Sequence, residues 1–262
     1  MSISGIRKLT QLAEGERRRF LRRSGSEKTI RSLCVDSEFA EVQNGPFRGV
    51  RLSVSDWDEW TTAPKVVGSY EAELHPTIKS ICEIDYEQII NIGAAEGYYA
   101  VGLALIQRDA FVHAFEGVSH LREQCALNAR ANGVEERIKI LGECDPVNLK
   151  QLLLEKSGRK LVVCDCEGQE LEILSGELLE LLTGTDLLVE VHETAACKNQ
   201  PESAVEILTR RFRSTHSVTM IPTRNRKTES YAALNSLEWD EKPIVLSEHR
   251  RQSKGWLLIQ AQ

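Results

Sequence analysis

His192 and Asp165 are the side chains of this 262-residue chain whose types and positions best suit proton transfer, with Glu167 and Glu193 beside them. Asp165 and Glu167 stand just past the apolar run Leu161-Val162-Val163-Cys164, and His192 and Glu193 just past the run from Leu187 to Val191. An unperturbed imidazole titrates near neutral pH, so His192 is the first candidate for a general base and Asp165 the second. Alternation along Asp165-Cys166-Glu167 puts the two carboxylates on one side of an extended chain. Glu167 then either points at the same pocket or caps the helix that begins near Gln169. The four side chains are also hard ligands of the kind Mg²⁺ or Mn²⁺ accepts. His75, His113, His120, His216 and His249 show no ligand spacing.

A second group of residues suits a cofactor. Asn91-Ile92-Gly93-Ala94-Ala95-Glu96-Gly97 follows the first apolar strand, and its glycines let a backbone turn sharply and a ligand approach. The spacing is G-x-x-x-G rather than the G-x-G-x-x-G of dinucleotide sites. Glu96 would repel a diphosphate but attract a sulfonium or an amino group. Asn91, Gly93, Ala94, Ala95, Glu96 and Gly97 therefore fit S-adenosylmethionine better than a nicotinamide dinucleotide. Glu116 ends the next strand, where a carboxylate can accept from both ribose hydroxyls. Glu143-Cys144-Asp145 follows the third strand and borders the place of an adenine. Asp145 has two open roles: acceptor for the exocyclic amine, or N-cap of the helix that starts at Pro146.

These residues need a scaffold that brings strand ends together. From residue 86, short apolar strands alternate with helices: strands at 89–92, 111–115, 138–141, 161–164 and 187–191, with helices at 98–107, 119–132, 149–155, 171–182 and 202–212. Gly133 is a good helix stop. That alternation predicts βαβ units, a parallel sheet and a ligand crevice beyond the strands' carboxyl ends. Ser217 to Ile221 and Trp256 to Ile259 read as strands with no full helix between them, so the last strand is expected to lie antiparallel. Residues 1–85 form an N-terminal extension that could cover an acceptor, and 86–262 the cofactor-binding domain. Within the extension, Ile6, Leu9, Leu12 and Ala13 have helical spacing, and Gly49 to Val54 alternates like a strand. Tyr70 to Cys82 reads as a helix kinked or restarted by Pro76. Arg17, Arg18, Arg19, Arg22 and Arg23 read as a solvated helix face. Arg224, Arg226 and Lys227 would suit an anionic acceptor, with a solvated loop as the simpler reading.

Hydrophobic residues make up 41% and charged residues 27% of the chain, as in ordinary globular domains, and the net charge is −6. A general nucleic-acid binder needs a broad positive field, so none is expected. No apolar stretch is long enough to span a membrane, and Met1 to Phe20 has no signal-like apolar core. The seven cysteines are scattered without paired C-x-x-C motifs, which predicts a reduced, cytoplasmic protein. A homo-oligomer is compatible with all of this.

Val163-Cys164-Asp165-Cys166-Glu167-Gly168-Gln169-Glu170-Leu171-Glu172-Ile173-Leu174 resembles the D-x-E-G-x-E-x-x-x-L segment of FkbM-type methyltransferases. Asn91 to Gly97 is similar to their S-adenosylmethionine loop and Phe115-Glu116 to their ribose-binding strand end. Gly45-Pro46-Phe47-Arg48-Gly49 and Gly68 to Leu74 are similar to the lead-in of bacterial members. The resemblance spans residues 44–195. Cys166 stands where the family commonly has an aliphatic residue. The resemblance implies an α/β class I methyltransferase fold: a Rossmann-like, seven-stranded, mostly parallel sheet with an antiparallel last strand. It implies O-methylation of a sugar, glycan or small natural product. It places Asp165 at the cofactor's methionine end as well as near the acceptor, and implies no metal. The competing readings are a nicotinamide-dependent oxidoreductase, which the Gly93 to Gly97 spacing and Glu96 oppose, and a non-catalytic cofactor-binding partner subunit.

Overall fold

The computed structural model describes residues 3–155, 158–193, 202–248 and 253–262, with side chains from residue 14. Cys197 and His249, and the side chains of Ile6, Leu9, Leu12 and Ala13, lie outside the described residues. In chain order the elements begin with α1 (Ile3–Leu33), β1 (Phe39–Glu41), β2 (Arg51–Ser53), α2 (Thr62–Val67) and α3 (His75–Ile81). They continue with β3 (Gln88–Ile92), α4 (Tyr98–Ile106), β4 (Phe111–Phe115), α5 (Ser119–Ala131), β5 (Ile138–Leu141) and α6 (Pro146–Leu154). The last are β6 (Lys160–Cys164), α7 (Glu170–Ile173), α8 (Leu178–Leu181), β7 (Thr185–His192), α9 (Ala204–Phe212), β8 (His216–Ile221), α10 (Glu241–Val245) and β9 (Ser253–Ala261).

The chain forms two compact units. One comprises Met1–Ala72 with Asn225–His249, the other Glu73–Arg224 with Arg250–Gln262. The division thus falls at 72/73 rather than at 85, and a late segment that chain order alone assigns to the second domain belongs to the first unit. That segment's apolar and charged side chains find partners there. Glu241 of α10 receives the Lys28 ammonium of α1 at 3.1 Å, and a Cβ on Gly25 would lie 2.6 Å from Val245 Cγ2. Arg226 is buried in a two-pronged pair with Glu248, 2.8 Å to each oxygen, and its Nε donates to Ser69 O at 2.9 Å. Arg226 therefore serves neither a solvated loop nor an acceptor. Arg22 also departs from the solvated face: its guanidinium lies 3.7 Å over the Trp60 ring, and burial lowers its pKa to about 10 despite Glu59 and Asp58. Arg17, Arg18, Arg19 and Arg23 are exposed as expected.

The second unit is built on a seven-stranded sheet of order β5-β4-β3-β6-β7-β9-β8. β3 to β7 run parallel, and β9 lies antiparallel between β7 and β8. This is the class I methyltransferase sheet, antiparallel last strand included. Every residue of β3, β6 and β7 is buried, as expected of central strands covered on both faces. On one face Ile90, Ile92, Val162, Cys164, Leu187 and Val189 pack with Leu149, Leu153, Leu178, Leu208 and Phe212 of the covering helices. α9 starts in a capping box between Ser203 and Glu206. The helix expected over 171–182 is instead two short ones, α7 and α8. Between them Gly176 takes φ 61°, a conformation that breaks a right-handed helix. The helix expected from Tyr70 starts afresh at His75 with Pro76 in its first turn, where a missing N–H costs nothing. No helix among the described residues is long and apolar enough to cross a membrane.

Candidate active site

The chain leaves β3 for β4 and β5 on one side, then crosses to β6 on the other, which opens a crevice at the strands' carboxyl ends. A cavity of about 550 Å³ lies there. Its lining comes from every neighbouring strand end: Ile92, Gly93 and Ala95 after β3; Phe115 to Val118 and Leu121 after β4; Glu143 and Cys144 after β5; and Asp165, Cys166, Glu167, Gln169 and Ile173 after β6. Two non-glycine residues flank it in the left-handed region, Ala95 at φ 48° and Glu167 at φ 54°. Such strain is costly and concentrates at functional sites.

Gly93 has φ 77°, and a Cβ there would overlap the Asp165 carbonyl oxygen. The residue thus lets the chains leaving β3 and β6 touch. The N–H groups of Gly93 and Ala94 both donate to Phe115 O, at 2.9 and 2.8 Å, which ties the loop to β4. Gly97, at φ 92°, caps α4, and a Cβ there would sit 2.7 Å from Cys125 Sγ. Both glycines serve close packing within the protein, and Gly93 also lines the cavity. Asn91, Ala94, Glu96 and Gly97 are not among the residues lining the cavity. Asn91 is buried in β3 with its Nδ2 3.4 Å from Val163 O. The backbone carbonyl of Glu96 accepts from Asn128 Nδ2 at 2.8 Å.

Glu116 faces the cavity. Its carboxylate accepts the N–H of Ala95 and the N–H of Val118, each at 2.8 Å. A carboxylate has about four acceptor positions, so each oxygen retains a lone pair for a hydroxyl. Glu143 lines the cavity and is exposed, with Gln169 Nε2 3.5 Å from its Oε1. Asp145 does not line it. Its Oδ1 accepts the Asn148 N–H at 2.7 Å with Pro146 next in the chain, so the capping role is the one the structure displays. Cys166 lines the cavity with its Sγ 3.6 Å from Cys164 Sγ. Burial, then the charges of Asp145 and Cys166, push the Cys144 thiol up to about 12.

His192 ends β7, 5% exposed, beneath the β6 loop. Its Nδ1 lies 2.9 Å from Glu170 Oε1, which also accepts the Gly168 N–H at 3.0 Å. An oxygen accepting from an amide presents an acceptor to Nδ1 as well, so Nδ1 carries a hydrogen. Nε2 faces three carboxylates: Glu167 at 3.6 Å, Glu190 at 3.8 Å and Asp165 at 4.0 Å. Burial works against the imidazolium. The Glu170 hydrogen bond and the charges of Glu190, Glu170 and Glu167 outweigh it, and the His192 pKa is raised. Burial also resists ionisation of Glu170, yet the bonds from His192 and the Gly168 N–H bring its pKa below the ordinary value. The structure thus unites Asp165, Glu167 and His192, and leaves out Glu193, which pairs with Lys254 at 3.2 Å. Glu170 and Glu190 are the members that sequence reasoning misses. Glu190 is within reach of the alternation rule, two residues before His192 on one strand. Glu170 lies in the motif segment, where nothing local distinguishes it from a first-turn helix carboxylate.

No family model matches the chain, and no curated protein matches it. Among solved structures it is similar to the O-methyltransferase TomG of Streptomyces achromogenes, involved in tomaymycin synthesis and solved with SAM. Identity is 13% over 74% of this chain and 80% of that one, with a TM-score of 0.49. It is similar also to an O-methyltransferase of Bacillus cereus in complex with SAH, at 12% identity over 74% and 81% of the two chains and a TM-score of 0.47.

Proposed function

We propose that this chain is an S-adenosylmethionine-dependent O-methyltransferase of FkbM type, acting on a hydroxyl of a sugar, glycan or small natural product. The observation that carries the reading is Glu116: a carboxylate at the end of β4, aimed into the cavity and fixed by two backbone N–H groups. It would accept the ribose hydroxyls, with Val118, Leu121, Glu143 and Cys144 around the adenine. The methionine end would reach past Gly93 to Asp165. A cavity of about 550 Å³, its walls part apolar and part carboxylate, is of the size that holds such cofactors.

Methyl transfer from a sulfonium needs positioning first, since the methyl group is already activated. The acceptor hydroxyl still has to lose a proton; Asp165, which lines the cavity, and His192, whose Nε2 lies 4.0 Å from Asp165 Oδ1, would receive it. Cytoplasmic location fits the free cysteines among the described residues. Neither nucleic acid nor membrane is part of the reading.

Calorimetric titration with S-adenosylhomocysteine, with NAD as control, tests it. Saturable binding of the former alone is expected, followed by methylation in a screen of hydroxylated acceptors. Binding of NAD and not S-adenosylhomocysteine would transfer the chain to the oxidoreductases.

A further inference from the structure

His192 is fixed by an arrangement that leaves one lone pair exposed to its neighbours. Glu170, whose side chain is 2% exposed, holds Nδ1 at 2.9 Å and so assigns the hydrogen of a neutral ring to that nitrogen. Nε2 then bears the lone pair. It makes no hydrogen bond among the described residues, although the ring is 5% exposed, and it points at oxygens of Glu190 and Asp165 at 3.8 and 4.0 Å. One donor atom from each of Asp165, Glu190 and His192 lies within 4.8 Å of the other two.

The carboxylates around Nε2 favour a positive charge at that place, and these separations are too long for hydrogen bonds. They are the separations of atoms that share a cation. Donors about 2.0–2.2 Å from one ion stand about 3–4.3 Å apart, depending on the angle between them. A ligating histidine also commonly gives its second N–H to a carboxylate, and Glu170 is that partner. Glu190 and His192 lie two residues apart on β7, where the pairing with β9 shifts register between them, and the Asp165 N–H is bonded to Ile92 O at 2.9 Å.

We propose that Asp165, Glu190 and His192 bind a divalent transition-metal ion, with Glu170 as the positioning residue behind His192. One imidazole and two carboxylates suit Mn²⁺ or Zn²⁺, whereas Ca²⁺ and Mg²⁺ favour oxygen alone. The family resemblance implies no metal; Asp165 and His192 belong to the ligand set offered by the sequence, and Glu190 takes the place there of Glu167 and Glu193. The role of the ion rests on the methyl-transfer reading, since an acceptor hydroxyl that binds a divalent cation becomes more acidic. With the ion bound, Asp165 and His192 are ligands rather than bases, so the proton passes instead to exposed Glu167 and solvent, the O–CH₃ bond forms, and the S–CH₃ bond of the sulfonium breaks to leave a neutral thioether.

Mn²⁺ alone is titrated into the intact metal-stripped protein, with free Mn²⁺ followed by electron paramagnetic resonance and Zn²⁺ by competition. One saturable site is expected. Glu190→Gln and His192→Ala should abolish it, Glu170→Gln should weaken it about 10–100-fold, and Glu177→Gln, an exposed carboxylate outside the cluster and the cavity, should leave it unchanged. The near-isosteric Glu190→Gln guards against misfolding of the histidine variant. Failure of the parent to take up either ion, or equal uptake by Glu190→Gln, would overturn the proposal. A parallel titration with S-adenosylhomocysteine separates the two readings: metal bound without nucleoside response sinks the cofactor assignment only, and the reverse sinks the metal only.

Discussion

The carbonyl oxygen of Asp165 occupies the space where a side chain on Gly93 would begin. The chains leaving β3 and β6 meet there, at the floor of the cavity. Gly93→Ala must therefore move backbone, at a φ of 77° that alanine already resists. We expect a loss of at least about 1–3 kcal/mol in urea unfolding and loss of S-adenosylhomocysteine binding. Gly15→Ala, in α1 with open space around its Cβ, should be neutral or slightly stabilising. Equal unfolding midpoints for parent and Gly93→Ala would show that the close approach is not required.

Glu116→Ala removes the acceptor of two backbone N–H groups and the proposed ribose contact together. Each charged hydrogen bond lost to the ligand is worth about 1.5–3 kcal/mol, so affinity for S-adenosylhomocysteine should fall at least about tenfold. The Ala95 and Val118 N–H groups should also cost some stability. Calorimetry on the folded variant decides: an unchanged dissociation constant removes Glu116 from the site.

Asp145→Ala should behave in the opposite way. The cap on α6 is lost, at about 1 kcal/mol, while the cavity lining stays intact. Unfolding midpoint and nucleoside affinity are measured on the same preparation. A marked loss of affinity with no loss of stability would restore Asp145 to the adenine.

Acid sensitivity should come in part from His113 in β4. Burial lowers its pKa, Glu155 opposes this, and Lys139 adds to it. The folded value lies below the unfolded value of about 6.5, so the unfolded state binds the proton more readily between the two. Stability from this residue is present above about pH 6.5 and is lost as pH falls through the folded value. Urea midpoints followed from about pH 7.5 downward through about pH 6.5 and below should drop less in His113→Gln than in the parent. Parallel drops would clear His113 of the effect.

Strand ends from 92 to 192 were legible because buried parallel strands read as apolar runs and each ends in a carboxylate or glycine. Asp165, Glu167 and His192 were found that way, and the structure does bring them together. Glu190 escaped because it sits inside such a run, where charge is unexpected. The break at Gly176 escaped because an apolar helical pattern continues on both sides of it. Arg22 and Arg226 differ from their sequence reading for another reason: their partners, Trp60 and Glu248, are not sequence neighbours, and only folding reveals that an arginine is covered. The segment Asn225–His249 was assigned by its place in the chain, and its packing against α1 has no local signature.

β8 has one neighbour in the sheet, β9, and β9 is also the strand that joins it to β7. Between Ile221 and Ser253 the chain departs to supply the other unit with Asn225–His249. The sheet's last two positions therefore close only after a long excursion, the kind of non-local pairing that slows folding. Until β9 arrives, β7 and β8 present open edges, the surfaces through which partly folded chains associate. Refolding yield should accordingly depend on protein concentration more than the stability of the finished sheet would suggest, with Trp256, buried on β9, as the fluorophore that reports the late step.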